Sequence, residues 1–283
     1  MHKLYLKSRK LISDLILLIN PGVFKKIKFK QQNSKPSKGL EKATIEPELF
    51  LVEKLFDKQS IVFDIGSNIG TYLYAFEKIT PPANIYGFEP NQKLFLKLKK
   101  MFRKVNLSNI AFSDVSESAD LKIPIINNKI YEARGTLNLN FREIDEDDFI
   151  LVTIKKERLD NYVVQHKIQK IDFIKIDVEG HEFNILKGAV ETLRKFKPTL
   201  LIEIEQRHHQ FPISQIDDFL FDLGYLKYFF YKEENKILPG KAFNVSLHQN
   251  IEKFDTGNYI NNFIFIDANK INNSNMHLER WQF

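Results

Sequence analysis

The chain contains no cysteine. That excludes disulfides, thiolate nucleophiles and cysteine-ligated metal centres, and it accords with the cytoplasmic location we expect. There is no hydrophobic run long enough to be a membrane span. The apolar stretch Leu11 to Ile19 is interrupted by Ser13 and Asp14 and falls short of the ~20 residues that cross a bilayer. It also has no small-residue cleavage site, which argues against a signal peptide. Acid is scarce at the N-terminal end. Residues 1–42 carry Lys3, Lys7, Arg9, Lys10, Lys25, Lys26, Lys28, Lys30, Lys35, Lys38 and Lys42 against only Asp14 and Glu41. This segment reads as a basic amphipathic helix, with Leu4, Leu11, Leu15, Leu18 and Ile19 on one broad face, followed by a linker over residues 31–40. The preferred expectation is that the helix packs on the domain or on a second copy. The alternative is a peripheral contact of residues 1–30 with the anionic inner face of a membrane.

The net charge of +6 is modest. A second basic cluster, Lys93, Lys97, Lys99, Lys100, Arg103 and Lys104, shares a helical stretch with Leu94, Leu98, Met101, Phe102 and Val105. The lysines form the solvated face of that helix, and no nucleic-acid-binding module is visible, so no nucleic-acid partner is expected.

What is present begins with Phe63-Asp64-Ile65-Gly66-Ser67-Asn68-Ile69-Gly70. An apolar strand ends in an acid and runs into a glycine turn, with a helix from about Thr71. This is the beginning of a nucleotide-binding crossover, in which glycines admit a sharp turn and a close ligand. The glycines are spaced G-x-x-x-G, however, and the third glycine of the dinucleotide fingerprint is missing. The pattern suits a zwitterion such as S-adenosylmethionine, with Asp64 toward its ammonium, the amides around Gly66 and Gly70 toward its carboxylate, and Asn68 orienting the turn or touching the ligand. The next strand, Asn84 to Phe88, ends in Glu89-Pro90. An acid there, roughly 20 residues past the turn, is where such folds hold ribose hydroxyls.

Strands near 61–64, 84–88, 108–112, 171–176 and 199–204 alternate with helices near 70–79, 91–105, 182–195 and 213–223. Strands at 225–231 and 262–266 close the chain without a helix between them. We therefore expect an α/β fold: a doubly wound, mostly parallel, seven-stranded Rossmann-like sheet with an antiparallel final hairpin, occupying residues 43–283. Residues 119–155, with short β-like runs, Arg134-Gly135-Thr136-Leu137 and the acidic run Glu143 to Asp148, read as an insertion over the sheet. In such sheets ligands sit beyond the carboxyl ends of the strands, where Asp64, Glu89, Asp177, Glu179, His181 and Glu203 all fall. Asp177, Glu179 and Glu203 offer hard oxygen ligands that suit magnesium. The adjacent pair His208-His209 lacks the i, i+4 spacing of a zinc motif.

The run Ile171-Asp172-Phe173-Ile174-Lys175-Ile176-Asp177-Val178-Glu179-Gly180-His181-Glu182 is the most specific feature. Together with Asp64 to Gly70, Phe88-Glu89-Pro90, Ala111-Phe112-Ser113-Asp114, Leu186-Lys187-Gly188-Ala189 and Pro198 to Glu203, it resembles the FkbM family of S-adenosylmethionine-dependent methyltransferases, from about Glu46 to about Asp267. The resemblance implies S-adenosylmethionine as cofactor and the methyltransferase sheet as fold. It places adenine near Ser113 and Asp114, and the transferred methyl beside Asp177. It also implies methylation of a hydroxyl on a small molecule or glycan, such as a bacterial surface sugar or a secondary metabolite. A base would then take the acceptor's proton, with Asp177, Glu179 and His181 as candidates. Two rivals stand beside it: a nicotinamide-dependent oxidoreductase, which the missing third glycine disfavours, and a non-catalytic ligand-binding relative, which the intact acid and glycine positions disfavour.

Overall fold

The computed structural model describes residues 16–29, 48–252 and 259–274. Its main sheet has eight strands: β1 (Val62–Ile65), β2 (Ile85–Phe88), β3 (Asn106–Ser108), β8 (Phe173–Ile176), β9 (Thr199–Glu203), β10 (Tyr225–Tyr231), β11 (Lys236–Pro239) and β12 (Asn262–Asp267), in the order β11-β10-β12-β9-β8-β1-β2-β3. The half from β9 to β3 is parallel. At the other end β12 runs antiparallel to β9, and β10 antiparallel to β12. The expected seven-stranded frame is therefore present, extended at one edge by β11. The reversal comes from inserting β12 between β9 and β10, so the two late strands pair directly, as expected of strands with no helix between them.

Both faces of this sheet are covered, which is why its central strands β1 and β8 are buried at every position and apolar at all but Asp64 and Lys175. Phe63, Ile174 and Leu200 point to one core, shared with Leu159, Ile185, Leu193 and Ile216. Val62, Phe173 and Leu201 point to the other, shared with Phe76, Leu98, Leu51 and Phe29. The second core includes the described part of the N-terminal segment. Leu17 and Phe29 are buried, Phe29 stacks on Tyr74, and Lys25 pairs with Glu77. Leu18, Ile19, Val23 and Ile27 remain exposed. The expected positions Leu4, Leu11 and Leu15 and the linker 31–40 lie outside the described residues. Among the described residues no helix is long and apolar enough to cross a membrane.

The insertion is more regular than its sequence implies. Strands β4 (Ala111–Phe112), β5 (Glu117–Ile126), β6 (Lys129–Ile130) and β7 (Glu146–Glu157) form a second sheet in the order β4-β7-β5-β6. Its long hairpin, β5 against β7, rises over the carboxyl ends of the main strands. The single strand expected near 108–112 is two. Asn109 donates from Nδ2 to the carbonyls of Glu89 (2.8 Å) and Pro90 (2.9 Å), and the chain passes there from β3 into β4 of the second sheet. Inside the hairpin the buried ammonium of Lys122 pairs with Glu146 at 2.7 Å and donates to the Phe141 carbonyl. That contact fixes the loop between the strands over the main sheet.

Candidate functional site

The site starts from the turn after β1. Gly66 N–H and Ser67 N–H both donate to the Phe88 carbonyl, and Ser67 Oγ donates to the Asp64 carbonyl at 2.9 Å. Gly66 has φ +83°, and a Cβ there would stand 1.8 Å from the Asp177 carbonyl oxygen. Only glycine lets the ends of β1 and β8 close to this separation. Asn68, also left-handed at φ 50°, donates its amide to Glu89 Oε2 at 2.7 Å. Asn91 N–H donates to Glu89 Oε1 at 2.8 Å. Burial nevertheless dominates these bonds, and with the charges of Asp64 and Asp177 it pushes the Glu89 carboxyl up to about 7.

Around Glu89 lies a cavity. Gly66, Asn68 and Glu89 line it, with Leu94, Ile110 and Phe112 as an apolar wall and Asp177, Glu179 and His181 as further polar lining. Its roof comes from the segment that links β6 to β7: Glu132, Ala133, Gly135 and Leu137. Three hydrogen bonds strap this roof down. Asn68 Nδ2 donates to the Ala133 carbonyl (3.1 Å), Asn91 Nδ2 to Glu132 Oε2 (2.7 Å), and Thr136 Oγ1 to the Glu179 carbonyl (2.7 Å). Gly135 and Leu137 of the roof belong to the run Arg134-Gly135-Thr136-Leu137 noted in the insertion, whereas Asn91, Glu132 and Ala133 carry no mark in the sequence.

The candidate residues divide into two groups. Gly66, Asn68, Glu89, Asp177, Glu179 and His181 meet at the cavity. Asp64, Gly70, Ser113 and Asp114 stand behind its lining. Asp64 is buried within β1, and Gly70 packs on Phe102 and Leu98. Ser113 is fully buried and lies 2.9 Å from His181 Nε2 while donating to Asp114 Oδ1 at 3.0 Å. Burial raises the Asp114 carboxyl, but hydrogen bonds from Asn184 and Ser113 carry it below its usual range. With Asp114 ionised and taking the one Ser113 proton, His181 Nε2–H is the donor to Ser113. Burial lowers the His181 imidazole to about 4, which leaves it neutral near pH 7.

A lone lysine in the apolar run Phe173–Ile176 was the sequence signal for a buried charge. Lys175 is fully buried, donates to Asn262 Oδ1 at 3.0 Å, and faces Asp177 Oδ2 at 3.8 Å and Glu203 Oε2 at 4.0 Å. Asp177 and Glu203, expected with Glu179 as oxygen ligands for magnesium, share this ammonium as counter-ions. The group that converges instead is Glu143, Glu179 and His208. Glu179 is left-handed at φ 52°, and burial together with Asp177, Glu205 and Glu143 pushes its carboxyl up to about 8. The adjacent histidines part company: His209 Nε2 lies 3.1 Å from Glu182 Oε2, and His208 Nε2 lies 3.6 Å from Glu179 Oε2.

The cavity accommodates S-adenosylmethionine on several counts. Both Glu89 oxygens accept one amide and keep a lone pair each for a ribose hydroxyl. The buried Oδ1 of Asn68 has no hydrogen-bond partner among the described residues. The wall of Leu94, Ile110 and Phe112 is apolar, as a nucleobase face requires.

Comparison with known proteins points the same way. The 2-O-methyltransferase NoeI of Sinorhizobium fredii is 24% identical over 181 residues, covering 60% of this chain and 74% of that protein. The hexuronic acid methyltransferase AglP of Haloferax volcanii is 25% identical over 143 residues, covering 49% of this chain and 53% of that one. The crystal structure of the FkbM methyltransferase from Methylobacillus flagellatus aligns with 74% of this chain and 44% of its own, at 13% identity and a TM-score of 0.47. The chain thus spans about half of AglP and less than half of the M. flagellatus protein. The Methyltransferase FkbM domain model matches residues 64–227, a stretch that contains the glycine turn, Glu89, the Lys175–Glu182 run and the roof. With more than half of its length matched, the chain belongs to the FkbM family and is an S-adenosylmethionine-dependent methyltransferase.

Proposed function

We propose that the protein methylates a hydroxyl of a sugar, carried on a glycan or a glycosylated small molecule, with Asp177 receiving the acceptor's proton. The observation that carries this reading is the cavity itself, lined by the buried Glu89 together with Asp177, Glu179 and His181. The names of NoeI, a 2-O-methyltransferase, and AglP, a hexuronic acid methyltransferase, support a sugar oxygen as acceptor. When bound, S-adenosylmethionine supplies the methyl group. The chain's own residues do the rest. Glu89 holds the ribose, and the roof from Glu132 to Leu137 excludes water. Lys175 lies behind Asp177, 3.8 Å from its Oδ2, and holds the carboxylate in place. His181 is set against the role of base by geometry, because its Nε2 is engaged with Ser113 at 2.9 Å. It serves to hold Ser113 and, through it, Asp114 behind the cavity.

Glu89 provides the test. Ribose hydroxyls donate to a carboxylate better than to a carboxylic acid, so binding must expel the proton that the free protein keeps up to about 7. We expect the affinity for S-adenosylhomocysteine to rise with pH, by up to about tenfold per unit below 7, and to level off above it. Glu89→Gln should remove that dependence and weaken binding by about 1.5–3 kcal/mol at pH 8. The apo protein carries the matching signature in stability. Its Glu89 proton, lost near 4.5 when unfolded, is kept to about 7 when folded, so this stabilising contribution is whole below pH 4.5 and lost by pH 7. Calorimetry showing pH-independent binding from 5.5 to about 8.5 would remove Glu89 from the ribose site.

A further inference from the structure

Beyond the cofactor cavity, one cluster of side chains has no role in the chemistry derived so far. We propose that Glu143, Glu179 and His208 form a binding site for a divalent first-row transition-metal ion of the manganese class, at the wall of the cavity. Their ligand atoms all lie within 4.8 Å of one another. His208 is only 5% exposed, and its Nε2 has no hydrogen-bond partner among the described residues. A buried imidazole nitrogen in that state calls for an explanation. Its nearest charged neighbour is Glu179 Oε2 at 3.6 Å, too long for a hydrogen bond. It is, however, the kind of separation found between two ligands of one ion, which lie about 3–4.3 Å apart when each metal–ligand bond is roughly 2.1 Å.

The three residues come from separate segments, Glu143 and Glu179 from loops and His208 from the 3-10 turn Gln206–His208, and the fold holds each of them. Thr136 ties the Glu179 carbonyl, and Asn138 Nδ2 donates to the His208 carbonyl at 3.3 Å. The His209–Glu182 contact, with Glu182 also accepting the Gly180 amide at 2.9 Å, locks the two histidine-bearing and acid-bearing turns together. Arg207 binds Glu205 through Nε at 2.6 Å and reaches Glu143 Oε2 at 3.2 Å, and Arg134 lies 3.7 Å from the same oxygen. A carboxylate has lone pairs enough for a guanidinium and an ion together. The donor set of one imidazole and two carboxylates favours manganese, iron or zinc over magnesium and calcium, which prefer oxygen alone. Three protein ligands also leave coordination positions open for water or an acceptor oxygen. Only this last role rests on the methyl-transfer reading, because Glu179 also lines the cavity.

The test is Mn2+ titrated into the whole chain, without cofactor or acceptor, and followed by electron paramagnetic resonance. The expected result is one tightly held ion per chain, with affinity reduced at least about tenfold in Glu179→Gln and in His208→Ala. If His208→Ala does not fold, Glu143→Gln decides, since that side chain sits in a loop. No stoichiometric binding up to millimolar Mn2+, or binding unchanged in the folded variants, overturns the site. Mn2+ binding in a protein that transfers no methyl group would leave the site standing and sink the functional reading; metal-free transfer without Mn2+ binding would do the reverse.

Discussion

Gly66→Ala will abolish cofactor binding and lower the melting temperature. The added Cβ would lie 1.8 Å from the Asp177 carbonyl oxygen, 2.9 Å from its carbonyl carbon and 3.2 Å from Val178 Cγ1. Gly66 and Asp177 directly follow the paired strands β1 and β8, and the two nearest atoms are backbone, so no flexible side-chain end can yield. The residue must also keep φ +83°, which costs an L-residue about 1–2 kcal/mol before any overlap is counted. Relief requires the end of β1 to move away from β8, which displaces the Asn68 amide from Glu89 and opens the cavity floor. We expect S-adenosylhomocysteine affinity to fall at least about a hundredfold, roughly 2.7 kcal/mol, with a melting temperature lower by several degrees. Calorimetry finding affinity within about threefold of the wild type would show that the turn does not form the cofactor floor.

Asp177→Asn is the second large effect. Asparagine keeps the shape and loses both the charge and the basicity. In the proposed reaction the acceptor hydroxyl must shed its proton as its oxygen bonds to carbon, and a positioned base contributes about a hundredfold or more. Turnover should fall by at least that factor. Cofactor affinity should change much less, because Glu89, Asn68 and the Gly66 turn remain. Lys175 keeps Glu203 at 4.0 Å and Asn262 at 3.0 Å, so the fold should survive. Equal losses in cofactor affinity and turnover would instead make Asp177 a binding residue. Full turnover would place the base elsewhere.

How much of this was legible in the sequence varies with the range of the interaction. The β1 turn and Glu89 were readable because apolar runs, glycine spacing and strand-end acids are local signals. The helix expected over 182–195 was legible in extent but not in its break. It splits into Glu182–Lys187 and Val190–Phe196, where Gly188 packs so closely on Ser113 that a Cβ would meet its carbonyl oxygen at 2.0 Å. That contact spans distant parts of the chain and leaves no local mark. The insertion's β-like runs were readable, but the start of β7 was not, because the acidic run Glu143 to Asp148 reads as a solvated loop, yet Glu146 there enters β7 and pairs with the buried Lys122. The helix Leu159–Gln165 went unread altogether. The convergence of Glu143, Glu179 and His208 was invisible for the same reason: it exists only once the insertion folds over the sheet. His208-His209 looked unpromising because a zinc motif on one helix needs i, i+4 spacing, a rule that does not apply to ligands drawn from three separate segments.

The most direct test of the account is methyl transfer itself. The protein is incubated with S-adenosylmethionine carrying a deuterated methyl group and a panel of hexose- and hexuronic-acid-terminated glycans, and the products are read by mass spectrometry before and after mild base. The account predicts one deuterated methyl on a sugar hydroxyl, as a base-stable ether, formed in equal amount with S-adenosylhomocysteine and lost in Asp177→Asn. Label found only in a base-labile ester or on nitrogen, or on no sugar of the panel although the cofactor binds, would contradict it.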